Sequence, residues 1–291
     1  MLQPPLAVSV ARGLTTVGGS ALLLGSVFLA VLVLWLGFTI YGVGLGSSPV
    51  GMVQFLSLPP LHALVDGQSL VERRAGAPFL LGFGAALLAF RSLMTSFWVS
   101  ATRERLMTGR GGKPDARNAV RRALKGFPSV LVIELGYLAV PLVMLGVISA
   151  VLGQQIAGLA FIAWLMAGLY LFMFAEVVAV SEGVGVRAAV QMSIRTARVP
   201  GREHALFVFG YFLLFIFLTI ATPSAGVVRA TPPTTVWVYV LFVGFVHVSV
   251  LAAVTFRWLL MGDAVKELPP VTRGARGPRP PLLAFPRLGG R

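Results

Sequence analysis

The sequence predicts an all-α polytopic membrane protein that crosses a bilayer about six times, in three helical hairpins with amphipathic helices on the cytoplasmic side. Three observations predict it. Of 291 residues, 57% are hydrophobic and only 12% are charged, with a mean hydropathy of +0.87, whereas a soluble domain needs about 25% charged residues to clothe its surface. The apolar residues fall in long runs. The basic residues gather between and after those runs, almost never inside them.

A spanning helix needs about 20 mostly apolar residues. Six segments qualify: Val17–Gly44, Gly76–Ala101, Phe127–Leu152, Gln155–Val180, Ala205–Val228 and Val236–Met261. The first is free of charge and too long for a signal-peptide core, so it is expected to remain as a membrane helix. Pro141 in the third predicts a kink rather than a break, and Pro223 stands near the end of the fifth.

Orientation follows from Lys and Arg. The start of the chain, the connections 102–126 and 181–204, and the residues after Met261 carry nineteen of them, against three (Arg73, Arg74 and Arg229) on the other side. This bias places both termini in the cytoplasm. It also offers anionic inner-leaflet head groups as partners for the net charge of +14, in place of the nucleic acid that a basic soluble chain would suggest. Residues 1–263 form the membrane domain. Residues 264–291, rich in Pro and Arg, are expected to be a disordered basic cytoplasmic tail.

Two of the cytoplasmic connections have a period of 3.6. Ala116, Val120, Ala123 and Phe127 line one face, with Arg117, Arg121, Arg122 and Lys125 around it; Val186, Val190, Ile194 and Ala197 line another, against Arg187, Arg195 and Arg198. Like charges four residues apart weaken an isolated helix, so a short helix of this kind gains from an anionic, apolar surface. A solvated connector is the alternative. Val10 with Leu14, Val120 with Leu124 and Val190 with Ile194 each precede a span, which gives a weak three-fold repeat of amphipathic helix and hairpin. Between the first two spans, Ser47–Gly76 is apolar but too short and broken to cross, and reads as an outer interfacial helix or a lid.

Ionisable groups inside spans are costly and are the candidate site: Arg91, Glu134, Glu176, His247 and Arg257. At about 1.5 Å per residue, Arg91 and Glu134 lie within about 5 Å of the same depth and can pair. Glu176 and Arg257 are matched in the same way, and His247 lies deeper. Two readings stay open: a polar cavity that moves a proton or holds a charged group, or interhelical ties with Arg257 reaching to the interface. Chemistry of other kinds finds no motif. Cysteine is absent; the three histidines, His62, His204 and His247, lack metal-ligand spacing; and Gly109–Lys113 is not a phosphate loop. No cofactor, metal or catalytic residue is expected.

The run from Ala175 to Arg198, in which a span ends, a glycine turn follows and Ala189, Ser193 and Arg198 mark an amphipathic helix, resembles a group of uncharacterised six-helix bacterial membrane proteins. It also resembles the membrane domain fused to some glycerophosphodiester phosphodiesterases. The resemblance implies the six-helix architecture and a bacterial cytoplasmic membrane. No catalytic residue carries over, because the phosphodiesterase chemistry belongs to a separate barrel domain. The function expected is a non-enzymatic membrane protein that binds lipid or a membrane partner and assists transport or membrane organisation. The alternative is a small secondary transporter or permease subunit using the intramembrane Arg/Glu pairs.

Overall fold

The computed structural model describes residues 3–40, 49–58, 77–108, 115–222 and 233–268. Every regular element among them is an α-helix: α1 (Leu6–Gly18), α2 (Ala21–Ile40), α3 (Pro49–Leu56), α4 (Ala77–Thr108), α5 (Ala116–Leu152), α6 (Gln154–Phe172), α7 (Ala175–Glu182), α8 (Val186–Thr196), α9 (Glu203–Ile220) and α10 (Pro233–Glu267). Four runs are long and apolar enough to cross a membrane: Ala116–Val140, Gln154–Glu182, Glu203–Ile220 and Thr234–Glu267. The bent pair α1 and α2 makes a fifth if taken as one span.

The helices share a basic end, tied together by polar contacts. Arg122 pairs with Glu104 at 3.4 Å, Lys266 with Glu182 at 2.9 Å, and Arg105 donates to the Gly19 carbonyl at 3.3 Å. Asp115 caps α5 there by accepting from the Arg117 and Asn118 amides. At the opposite end α5 turns into α6 through Gly153, whose φ of 87° suits a residue without Cβ.

Several elements differ from expectation, for local reasons. The basic stretch from Ala116 is the first part of one 37-residue helix, α5, which runs on past position 141. At about 55 Å this helix outreaches a hydrocarbon core of about 30 Å, so its charged turns can stand clear of it. The first apolar segment is broken at Gly19 and Ser20, and α1 stands at 81° to α2. α1 lies instead across α10, where a Cβ on Gly13 would collide with the Ser249 carbonyl oxygen. Only glycine permits that approach. Residues 264–267, expected in the tail, continue α10. The tail beyond 268, the connection 59–76 and the loop 109–114 lie outside the described residues, as do His62 and Pro223.

The outer lid is corrected for residues 49–58, which lie inside the bundle. Met52, Val53, Phe55, Leu56, Ser57 and Leu58 are all buried. Val53 packs with Leu218 and Val243 toward the opposite end, whereas the Leu58 amide donates to Tyr211 Oη at 2.8 Å, deeper in. α3 is thus a half-length helix that enters from the opposite end and stops midway along α9 and α10.

Candidate functional site

The end of α3 meets a polar cluster drawn from five other helices. Arg91, on α4, donates from Nε to the Phe55 carbonyl at 2.8 Å and from Nη2 to the Ser57 carbonyl. These carbonyls lie at the C-terminal end of α3, where a helix favours a cation. Nη1 of the same guanidinium lies 3.3 Å from Glu134 Oε1, on α5, and both side chains are sealed from solvent. Glu134 also accepts from Ser92 Oγ at 2.7 Å and from Thr95 Oγ1 at 3.3 Å. Ser92 and Thr95 stand one and four residues after Arg91, so a single face of α4 supplies all three groups.

Glu176 reaches this cluster because the run Gln154–Glu182 breaks at Met173 and Phe174. Three side chains take the carbonyls around the break: His204 Nε2 donates to Tyr170 O at 2.7 Å, Ser193 Oγ to Leu171 O at 2.8 Å and Tyr137 Oη to Phe172 O at 2.9 Å. Ser193 Oγ accepts in turn from the Phe174 amide at 3.2 Å. Insertion of side chains into the helical ladder is a recognised cause of a break, and here it leaves no carbonyl of the three unmet. α7 then starts afresh with Glu176 in its first turn, every residue from Ala175 to Ser181 buried. Its side chain lines the same cavity as Arg91, the partner of Glu134.

On the far side, Tyr211 Oη of α9 lies 2.9 Å from His247 Nδ1 of α10. Tyr211 Oη accepts from the Leu58 amide, and Nδ1 is the acceptor within reach of its own hydrogen among the described residues; with that hydrogen given to Nδ1, a neutral imidazole carries its hydrogen on Nε2. Nε2 of His247 and Oε1 of Glu176 are both buried and have no hydrogen-bond partner among the described residues. Both residues line one small cavity with Ser57, Arg91 and Thr95, which has room for about one water molecule.

Four of the five candidates are therefore brought together. Arg257 is not among them, and the pairing of Glu176 with Arg257 is not formed. Arg257 is fully buried rather than extended to the interface. It donates from Nη1 to Pro4 O at 2.9 Å and to Ser9 Oγ at 3.3 Å, and lies over the Phe207 ring at 5.2 Å. It holds down the start of the chain, beside a reciprocal pair of caps. Glu203 Oε2 accepts from the Leu6 amide at 2.8 Å, at the start of α1; Gln3 Oε1 accepts from the His204 amide at 2.7 Å, at the start of α9.

Of the basic candidates, Arg117, Arg121 and Lys125 are exposed on α5 next to exposed Val120 and Leu124. Arg187 and Arg198 are exposed on and just after α8. Arg122 is committed to Glu104, and Arg195 is half-buried. Residue-type reasoning missed Tyr211, Ser193, Tyr137, Ser92 and Thr95. Only Ser193 carried a signal, through the Ala189–Ser193–Arg198 pattern, in which Ala189 and Ser193 are the buried members.

These features define a chain whose regular structure is all helical among the described residues, with four or five helices fit to cross a membrane and a polar cluster buried in its core. The chain matches no known protein family, no curated protein and no solved structure.

Proposed function

We propose that the chain is a non-enzymatic integral membrane protein that binds anionic lipid head groups through basic helices at its cytoplasmic face. The reading takes α4 as a further span beside the helices already named, which gives about six crossings with both termini inside a bacterial cytoplasmic membrane. The six-helix resemblance at Ala189, Ser193 and Arg198 supports the same architecture. One observation carries the lipid reading. Arg117, Arg121 and Lys125 share the exposed face of α5 with Val120 and Leu124 and make no ion pair among the described residues. A cationic face mixed with outward apolar side chains suits the head-group boundary, not open water. α1 adds a second such face. Turned 81° from α2, it presents Val8, Val10 and Leu14 together with Arg12.

Native mass spectrometry of the gently solubilised protein tests this reading. Wild type is expected to keep anionic phospholipid, and the triple variant Arg117→Gln, Arg121→Gln, Lys125→Gln to lose most of it. Equal retention would remove the α5 face from the proposal. A co-purifying protein at fixed stoichiometry would replace lipid by a membrane partner.

A second reading, a small secondary transporter or permease subunit, is favoured by the half-length α3 ending at the buried Arg91. Transport folds place irregular backbone at sites near mid-membrane. Flux in proteoliposomes that Glu134→Gln abolishes would support it.

A further inference from the structure

Among the described residues, two carboxyl groups and one guanidinium meet in the core, with an imidazole and two phenols nearby. Among the described residues, the titratable groups around the two carboxyls are Arg91 from α4, Tyr137 from α5 and His247 from α10, with Tyr211 of α9 behind His247, while Phe55 and Ser57, at and just after the end of α3, present carbonyls to Arg91. Arg91 pairs with Glu134 at 3.3 Å and lines the same cavity as Glu176, so one guanidinium serves both carboxyl groups. Counting the described residues, with Arg91 positive and His247 neutral, the cluster balances when the two glutamates carry one negative charge between them, and an unbalanced charge in such a place is expensive.

The remaining atoms point the same way. Glu176 Oε1 and His247 Nε2 are buried, unpartnered among the described residues and adjacent to one cavity of about a water's size. A water there accepts from Nε2–H and donates to Oε1, which joins Glu176 to the His247–Tyr211 pair. We propose that this cluster is a proton-loading site, in which Glu134 and Glu176 share one exchangeable proton and the cavity links it through water to His247.

The site does not depend on the lipid reading. It names the proton as the coupling ion of the transport reading and in that sense rests on it, yet it is detected without any flux. Failure of transport and failure of the site are therefore told apart.

Infrared spectroscopy of the full chain in lipid nanodiscs at neutral pH is the test. Wild type should show the carbonyl stretch of a buried protonated carboxylic acid, and that band should shift when the sample is moved to deuterated water. Glu176→Gln imitates the protonated side chain and should fold while losing the band; Glu134→Gln should lose it as well. His247→Leu should keep the band and slow its deuterium shift several-fold. Absence of the band in wild type, its survival in both folded glutamate variants, or a deuterium shift unaffected by His247→Leu would overturn the proposal. If neither glutamate variant folds, glutamate labelled with carbon-13 decides in wild type: a band that moves with the label supports the site, and one that does not move overturns it.

Discussion

Arg91 and Glu134 face each other across α4 and α5 at 3.3 Å, both closed to solvent, and the same guanidinium holds the last carbonyls of α3. The half-length helix is thereby tied to the bundle core through one side chain. Removing one partner of a buried ion pair typically costs about 3–5 kcal/mol, mostly because the other charge is left unpaired. Arg91→Leu should destabilise the protein by about that amount, read from unfolding midpoints in mixed micelles. The double variant Arg91→Leu, Glu134→Gln should recover much of the loss; no recovery would mean that the α3 carbonyls, not Glu134, dominate the role of Arg91.

Ser193→Ala should cost about 1–3 kcal/mol, since it strips a partner from a buried carbonyl (Leu171) and a buried amide (Phe174) at once. Hydrogen exchange localised to 171–178 should rise in this variant, with α9 and α10 unchanged. Protection equal to wild type would show that the break holds itself.

Gly13→Val should lift α1 from α10, because the new Cβ meets the Ser249 carbonyl oxygen and Ala253. Limited proteolysis in 6–18 should accelerate. Unchanged cleavage would place the helix crossing elsewhere.

Glu203→Ala removes the cap on the Leu6 amide and should cost about 0.5–2 kcal/mol, the usual range for a lost cap. Fraying should appear first at 3–9, by hydrogen exchange. Glu203→Gln, which keeps an acceptor oxygen, should lose less.

The helical, membrane-crossing character was legible because composition and run length report the surrounding solvent directly. Arg91 and Glu134 were legible as a pair because depth along straight helices is additive at a fixed rise. The same arithmetic fails for Glu176 and Arg257: the break at Met173 and Phe174 re-aims Glu176 toward the cavity it shares with Arg91, and depth carries no information on which way a side chain faces. α3 reads as a surface element because it is short. Its place in the core depends on Arg91 and Tyr211, which meet the backbone at its end from elements 36 and 153 residues away in sequence. Hydroxyls such as Tyr211 Oη and Ser193 Oγ act on backbone groups of remote elements, and no local spacing encodes such a contact.

In the proposed topology α5 crosses the bilayer with its basic turns in the cytoplasm. Because the chain contains no cysteine, single variants Val120→Cys and Gln154→Cys can be probed in intact cells with a membrane-impermeant maleimide. The expected result is labelling of the Gln154→Cys variant from outside and of the Val120→Cys variant only after the cells are opened. Labelling of both from the same side, or the reverse pattern, would contradict it.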